Sequence, residues 1–410
     1  MISFLKKSLL VLVPLAFLAV SCGEKEPLDI PAFPGDKTEK EDPSGGGQTT
    51  PPTPATPATG PYDLSVLDLP LKDVLVLTSG TWLQNASVMQ SFVLPGDGTM
   101  IACQLAATGT KHKLNVTRKG ITSNSGKSLM KLSFFSHGHN MSHEADADGN
   151  VWLWIGCQST NTYSKYNDVN NVYFNHNQTV ARVKFEAGKD IFPEDVEDQW
   201  YLKGMKNIDA AVDAEAGQIA FHCVNSAGTA SYYYVYDLDA VKALPKKEVT
   251  LAHPIIRGPS EGYSLDPIYY KVMVHDLGDL TPLAKIEVTK ATFQNQPYNL
   301  GTLTVQGYEL HDGLIYHYYG GGNDSDPSKA SQSIVSIFDM TGKLVEQHRV
   351  MAVASIADLS AAGITDTGFM ESEGIKVYGD KLYLGYATKK SNDTHRYVTI
   401  LEYPLKRKSQ

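Results

Sequence analysis

Gln306-Gly307-Tyr308-Glu309-Leu310, then His311-Asp312-Gly313, then Leu314-Ile315-Tyr316, is a complete hairpin written in sequence. A polar residue opens it, an alternating strand follows, Asp-Gly makes the turn, and a more apolar strand returns. Asp-Gly between two such runs is a strong short-range hairpin signal. A second hairpin comes next: Ser333-Ile334-Val335-Ser336-Ile337-Phe338-Asp339, turn Thr341-Gly342-Lys343, then Leu344-Val345. Two hairpins make a four-stranded sheet, the size of one propeller blade.

Working outward, the unit recurs. Upstream it reads Gln90-Ser91-Phe92-Val93-Leu94, turn Gly96-Asp97-Gly98, then Met100-Ile101-Ala102-Cys103. It returns as His137-Gly138-His139, turn Asp148-Gly149-Asn150, then Val151 to Ile155, and as Asn207 to Val212, turn Glu215-Ala216-Gly217, then Ile219-Ala220-Phe221. Downstream it is Glu371 to Val377, turn Gly379-Asp380, then Leu382-Tyr383-Leu384. Period-two alternation dominates elsewhere, as in Tyr232 to Tyr236, and only Leu238 to Leu244 and Ile356 to Ala362 suit helix. The pattern predicts an all-β chain, a five-bladed β-propeller with short helical insertions. The longest insertion is expected between about His253 and Asn299. Val74-Leu75-Val76-Leu77 is placed to close the ring by joining the sheet that contains Glu371.

These segments also resemble a known family. Val88-Met89-Gln90-Ser91-Phe92, Phe135-Ser136-His137-Gly138-His139, Val151-Trp152-Leu153-Trp154 and Ala181-Arg182-Val183-Lys184-Phe185 occur in its order. Val305-Gln306-Gly307-Tyr308, Ile337-Phe338-Asp339 and Glu371-Ser372-Glu373-Gly374-Ile375 follow. The chain, from about Asn85 to Tyr403, resembles the five-bladed propellers of helveticin J, the teichoic-acid-biosynthesis C-type proteins and a receptor-binding protein of staphylococcal phage. The resemblance implies a propeller linked to envelope or wall polymers and no established reaction. The region after Leu251 matches poorly, so no ligand is carried over.

The N-terminal end carries an address. Lys6-Lys7 precede an apolar run from Leu9 to Val20, too short for a permanent span, which needs about 20 residues. It fits a signal-peptide h-region. Leu18-Ala19-Val20-Ser21-Cys22 resembles a lipobox, so residues 1–21 are expected to be removed and Cys22 acylated. Gly23-Glu24-Lys25-Glu26 is similar to the surface-export signals of Bacteroidota lipoproteins. Residues 22–61 are rich in Pro, Thr, Gly and Ser and poor in apolar side chains, the composition of a disordered tether. A single packed domain is expected over residues 62–410. The expected location is the outer membrane, with the head at the cell surface or, as the alternative, facing the periplasm.

The net charge of −9 leaves no electrostatic footprint for nucleic acid. Cys103, Cys157 and Cys223 lack metal-ligand spacing and sit in apolar strand-like stretches, which suits buried free cysteines; the alternative outside the cytoplasm is one oxidised pair and an odd thiol. No motif requires a cofactor.

In a propeller, the polar residues opening each unit lie at the inner ends of the blades. Gln90, His137, His139, Asp209, Gln306, Glu371 and Glu373 are therefore expected to converge near the axis, as ligand-binding groups or as partners for crowded backbone. His137, His139, His143 and Glu144 form the densest cluster. On a strand His137 and His139 would share a face, open to a metal, but His-Glu-x-x-His is absent and no metal is assigned. Glu144 to Gly149 resembles the opening of a calcium loop whose twelfth position is Ile155 instead of Glu. Gly258-Pro259-Ser260-Glu261-Gly262 matches a nucleophile elbow, yet Pro267 opposes the helix that must follow. Gly126-Lys127-Ser128 lacks the first glycine of a P-loop. Tyr316 to Tyr319 beside Gly320-Gly321-Gly322 suit either sugar stacking or packing between blades.

Three functions compete. The first is a lipid-anchored module that binds a glycan or envelope polymer without catalysis. The second is a propeller glycosidase or lyase, with Asp209 and Glu373 as its carboxylate pair. The third is a protein-docking propeller in an envelope complex.

Overall fold

The computed structural model describes residues 62–408 except 81–82, 84–86, 107–112, 124–125, 159–176, 253–268, 289–302, 322–330 and 394–395. Residues 1–61, where the signal peptide, the acylated Cys22 and the tether are expected, and the Gly258 to Gly262 pattern lie outside the described residues.

Five sheets form the propeller, each opening with its innermost strand. Blade 1 starts at Met89–Val93, blade 2 at Met141–Ala145, blade 3 at Met205–Asp213, blade 4 at Thr304–His311 and blade 5 at Met370–Tyr378. These five strands contact one another in a closed ring, each meeting the next and the fifth meeting the first. Blade 5 is completed from the other end of the domain. Leu75–Gly80 pairs antiparallel with Arg396–Pro404, Leu75 opposite Glu402, so the closure expected for Val74 to Leu77 is made. A second join lies beside it, where Tyr62–Asp63 pairs with Lys406–Arg407.

The alternating sequences bury both faces. Along Ser231–Asp237, Tyr233 and Val235 face blade 4, while Tyr234 and Tyr236 face blade 2. Five apolar clusters result, one in each wedge between neighbouring blades. Trp154 of blade 2 meets Trp200 at 4.4 Å between centroids, in the wedge shared with blade 3. Cys103, Cys157 and Cys223 are buried, free thiols in these wedges. Desolvation raises their pKa values, which keeps them protonated.

The expected insertion after His253 is partly blade. Tyr269–Asp276 adds to blade 2, parallel to Asp198–Tyr201, and Ala284–Val288 is the outer strand of blade 3. The helices at Leu238–Ala243 and Ile356–Ala361 fall where the sequence places them. Asp237 and Ser355 cap them by accepting from the backbone N–H of Ala240 and Asp358.

At the axis the inner strands crowd. The ladder register slips near Gln90 in blade 1, between Lys206 and Asp209 in blade 3, at Gln306 in blade 4 and between Ser372 and Ile375 in blade 5. Such bulges bend a strand and re-aim its side chains. Gly307 and Gly374 sit at two of them with φ of +132° and +109°. A Cβ on Gly307 would stand 3.3 Å from the Cα of Gly374, and one on Gly374 would stand 3.4 Å from the Cα of Ser91. Gly374→Val is therefore expected to cost at least about 3 kcal/mol, combining backbone strain with overpacking. Gly379→Ala, at φ +57° with open space around it, should cost only ~1–2 kcal/mol. Urea unfolding of both variants checks this, and equal losses would contradict close packing at the axis.

Candidate functional site

The polar residues that open the units do gather at the inner strands, but to different depths. Gln90 and Gln306 are buried, and the Gln306 amide donates to Thr304 Oγ1 at 3.1 Å. Glu373 is buried and Glu371 half-buried. His137 and His139 do not lie on a strand. The first strand of blade 2 begins only at Met141, because Gly138 at φ +85° turns the chain there. Their rings stack all the same, 4.6 Å apart. A Cβ on Gly138 would stand 2.7 Å from Cys103 Sγ, so the turn also lets blade 2 close on blade 1.

Asn140 then ties three blades together. Its Nδ2 donates to Ala210 O of blade 3 at 2.9 Å, and its Oδ1 accepts from the Tyr308 N–H of blade 4 at 3.4 Å. The axis at this level is thus filled by backbone and amide groups, and further polar side chains stand to one side, between blades 3 and 4.

A graded set of side chains lines that side. His139 is exposed, His222 half-buried and Asp209 7% exposed. Asp209 and His222 are cross-strand partners and share a face, with Tyr233 next across the sheet. His222 lies 5.0 Å from the Tyr233 ring and 5.7 Å from the Tyr308 ring, centroid to centroid. Tyr308 Oη donates to Asp209 O at 2.9 Å and Ala220 O at 3.0 Å, and accepts from the His222 N–H at 3.1 Å. Behind them Tyr233 bonds His317 Nδ1, and His317 stacks on Tyr319 at 4.4 Å. His222 and Tyr233 are given no role at a site by the sequence reading. The register held a signal: counting outward from the pair Asp213–Gln218 places His222 opposite Asp209.

Surrounding protein dictates the charge states. Burial raises the Asp209 carboxyl to about 8. Its Oδ1 is enclosed without a hydrogen-bond partner. Burial, then the neighbouring Glu371, raises Glu373 well above the carboxylate range, with Arg396 acting against them. Desolvation depresses both His139 and His222 to about 4, helped at His222 by the nearby His139. His139 is exposed yet close enough to the surrounding protein for desolvation to act on it. Elsewhere near the axis a buried pair, Glu309 Oε2 and Lys376 Nζ at 2.7 Å, joins blades 4 and 5.

Other candidates have structural employment. The Asp146 carboxylate accepts from the N–H groups of Asp148 and Asn150 and from Trp152 Nε1, so it builds the hairpin turn that resembles a calcium loop. Glu144 is held by Arg182 and Lys242. Lys127 donates to Leu83 O at 3.1 Å. Tyr316 and Tyr318 pack in the wedge between blades 4 and 5, and Tyr319 in that between blades 3 and 4. Among the described residues no group of three or more His, Cys, Asp or Glu side chains is placed to hold a metal ion.

No family model matches the chain. No curated protein matches it. Solved structures overlap it loosely. An exo-β-1,3-galactanase from Phanerochaete chrysosporium shares 9% identity over 81% of this chain, at TM-score 0.40, and the match spans only 64% of that protein. A β-1,3-galactosidase solved with galactodeoxynojirimycin shares 9% over 77% of this chain and 90% of its own, at 0.35. A candidate glycosidase from Bacteroides thetaiotaomicron shares 13% over 84% and 96%, at 0.33. At this overlap the propeller assignment rests on the strand pairing itself, and the resemblance to the helveticin J family remains one of short motifs.

The raised carboxyl has a thermodynamic consequence. An unfolded Asp ionises near pH 4. Between there and about pH 8 the folded protein keeps a proton on Asp209 that the unfolded chain has lost. Stability therefore falls as pH rises across that window. Asp209→Asn, which copies the neutral form, is expected to match wild type below pH 4 and exceed it by a few kcal/mol at about pH 8. Denaturant titrations from pH 4 to 8 check this; a constant difference would place the Asp209 pKa in the ordinary range.

Proposed function

We propose that the protein is an envelope lipoprotein, anchored through Cys22 to an outer membrane, whose propeller binds a glycan or envelope polymer at its inner-strand face without breaking it. The binding reading is supported by burial, which raises the pKa of Asp209 and of Glu373 alike. A glycosidase needs one carboxyl as acid and the other ionised as nucleophile or base. Two environments that push the pair apart would supply that division. Here burial raises both. Together with neutral His139 and His222, the face offers hydrogen-bonding groups suited to hydroxyls. The anchor rests on the order of basic start, apolar run, small residues and cysteine at residues 6–22. Several acyl chains on one residue hold firmly, at ~0.8 kcal/mol per buried CH₂.

Cys22→Ser is expected to move the protein from the membrane to the soluble fraction and to abolish labelling by radioactive palmitate. Continued labelling would sink the lipobox assignment. For the head, a glycan array is expected to give binding to a restricted set of envelope or host glycans with no new reducing ends released. Silence across the array would remove the glycan reading, and released sugar would transfer it to the glycosidase reading.

A further inference from the structure

Blade 2 carries an arm. Lys246–Ala252 and Tyr269–Asp276 pair with each other at seven positions. Among the described residues the arm joins the blade's sheet at two positions, Trp200 opposite His275 and Tyr201 opposite Asp276. A two-stranded ribbon is marginally stable by itself, so its base decides whether it stays in place. Leu244 and Leu277, beside that base, are buried in the wedge between blades 2 and 3. Farther out the cover thins. Val249 and Val272 are half-buried, and Glu248, Lys271 and Met273 are exposed.

His275 stands at the joint. It is buried, and its ring stacks on Trp200 at 5.0 Å. Nδ1 lies 2.6 Å from Leu244 O, and Nε2 lies 3.2 Å from Asp198 Oδ1. Neither oxygen has a hydrogen to give. One is a backbone carbonyl. The other belongs to a carboxylate: burial opposes ionisation of Asp198, but the hydrogen bonds from His275 and Lys246 outweigh it and hold the carboxyl below its ordinary value. A neutral imidazole carries a hydrogen on one nitrogen only. It would turn a lone pair on one of these two oxygens. The imidazolium satisfies both, and its charge suits the indole face against it.

We propose that His275 is a proton-operated fastener: as an imidazolium it holds the base of the arm on blade 2, and loss of its proton to solvent as pH rises loosens the arm. The groups around the ring are these. Asp198 and Tyr201 come from the neighbouring strand, and burial and Asp276 keep the Tyr201 phenol protonated. Lys246, opposite His275 on the arm's other strand, shares Asp198 Oδ1 at 3.1 Å, and Glu197 reaches Lys246 at 3.9 Å. Next along the arm, Asp276 meets Lys247 at 2.8 Å, and Lys247 also meets Asp279 at 2.9 Å. Among these side-chain types imidazole alone exchanges a proton between about pH 5 and 8. An ammonium keeps its charge over that range, so Asp198 retains a partner. What deprotonation removes is one ring hydrogen bond and the cation on Trp200. A free imidazole is half-protonated near pH 6.5. The fastening is therefore complete below that pH and fades as pH rises and the folded ring gives up its proton.

Hydrogen–deuterium exchange of the full-length protein tests it at about pH 6 and about pH 8, with each rate divided by that of the unstructured chain at the same pH. Peptides from 246–252 and 269–276 are expected to lose at least about fivefold in protection between the two, while peptides from the inner strand of blade 4 keep theirs. His275→Gln and Asp198→Asn should each leave the arm at about pH 6 as weakly protected as the wild-type arm at about pH 8, with no pH dependence; urea midpoints measured alongside show that they are folded. Equal protection of the wild-type arm at both pH values, or a pH dependence that survives in His275→Gln, overturns the proposal. Spectra of protein labelled with 15N-histidine give a second reading that needs only one folded variant. The ring signals that change in Asp198→Asn should show two N–H nitrogens in the wild type at about pH 7, where a free imidazole is mostly neutral. One unprotonated nitrogen in that ring overturns the fastener.

Discussion

Five strands that must pass one another around a single axis set the terms for everything else in this propeller. A Cβ at Gly307 would crowd the backbone of the neighbouring blade, and both Gly307 and Gly374 take positive φ values that L side chains rarely adopt, so the ring favours glycine there. The bulges beside those glycines follow from the same crowding, since a strand that must bend inward sheds its ladder register locally. Each bulge re-aims one polar side chain. The recurring polar opening of the repeat is thus first a solution to a packing problem, and a ligand face grows from the residues it leaves pointing sideways.

That order of causes explains the charge states. Asp209 stands at a bulge where blades 3 and 4 have already filled the wedge with Tyr233, Tyr308, Ala211 and Ala220. The polar groups nearby are spent on backbone: Tyr308 Oη is committed to two carbonyls and one N–H. The carboxyl is left facing rings and imidazoles, and its proton is what the low-dielectric setting favours. Glu309, on the next inner strand of the ring, is raised only to about 6, by burial, because Lys376 from blade 5 reaches it.

Much of the architecture was legible in the chain because it is local. Asp312-Gly313, Gly96 to Gly98 and Glu215 to Gly217 fix hairpins within a dozen residues, and the helix at Leu238–Ala243 carries its Asp237 cap beside it. Legibility failed where long-range geometry decides. His137 and His139 read as a strand pair, but Gly138 at positive φ turns the chain, and their stacking comes from that turn. Ala284–Val288 looked like insertion because the strand it completes lies some fifty residues earlier. His222 acquires meaning only from the register that sets it opposite Asp209. No periodicity reports that a carboxyl lacks a cation, because the absence belongs to three blades at once.

The paired ends of the domain also have a mechanical side. Tyr62–Asp63 is zipped to Lys406–Arg407, Arg407 lies over the Tyr62 ring at 4.3 Å, and Leu75–Gly80 is the outer strand of the last blade. A pull applied at Tyr62 meets this pairing together with the wedge between blades 4 and 5, where Tyr62, Leu64, Leu67 and Leu71 pack. Load entering there falls first on blade 5, whose outer strand comes from the N-terminal side, and the blades farther round the ring are shielded until that pairing opens.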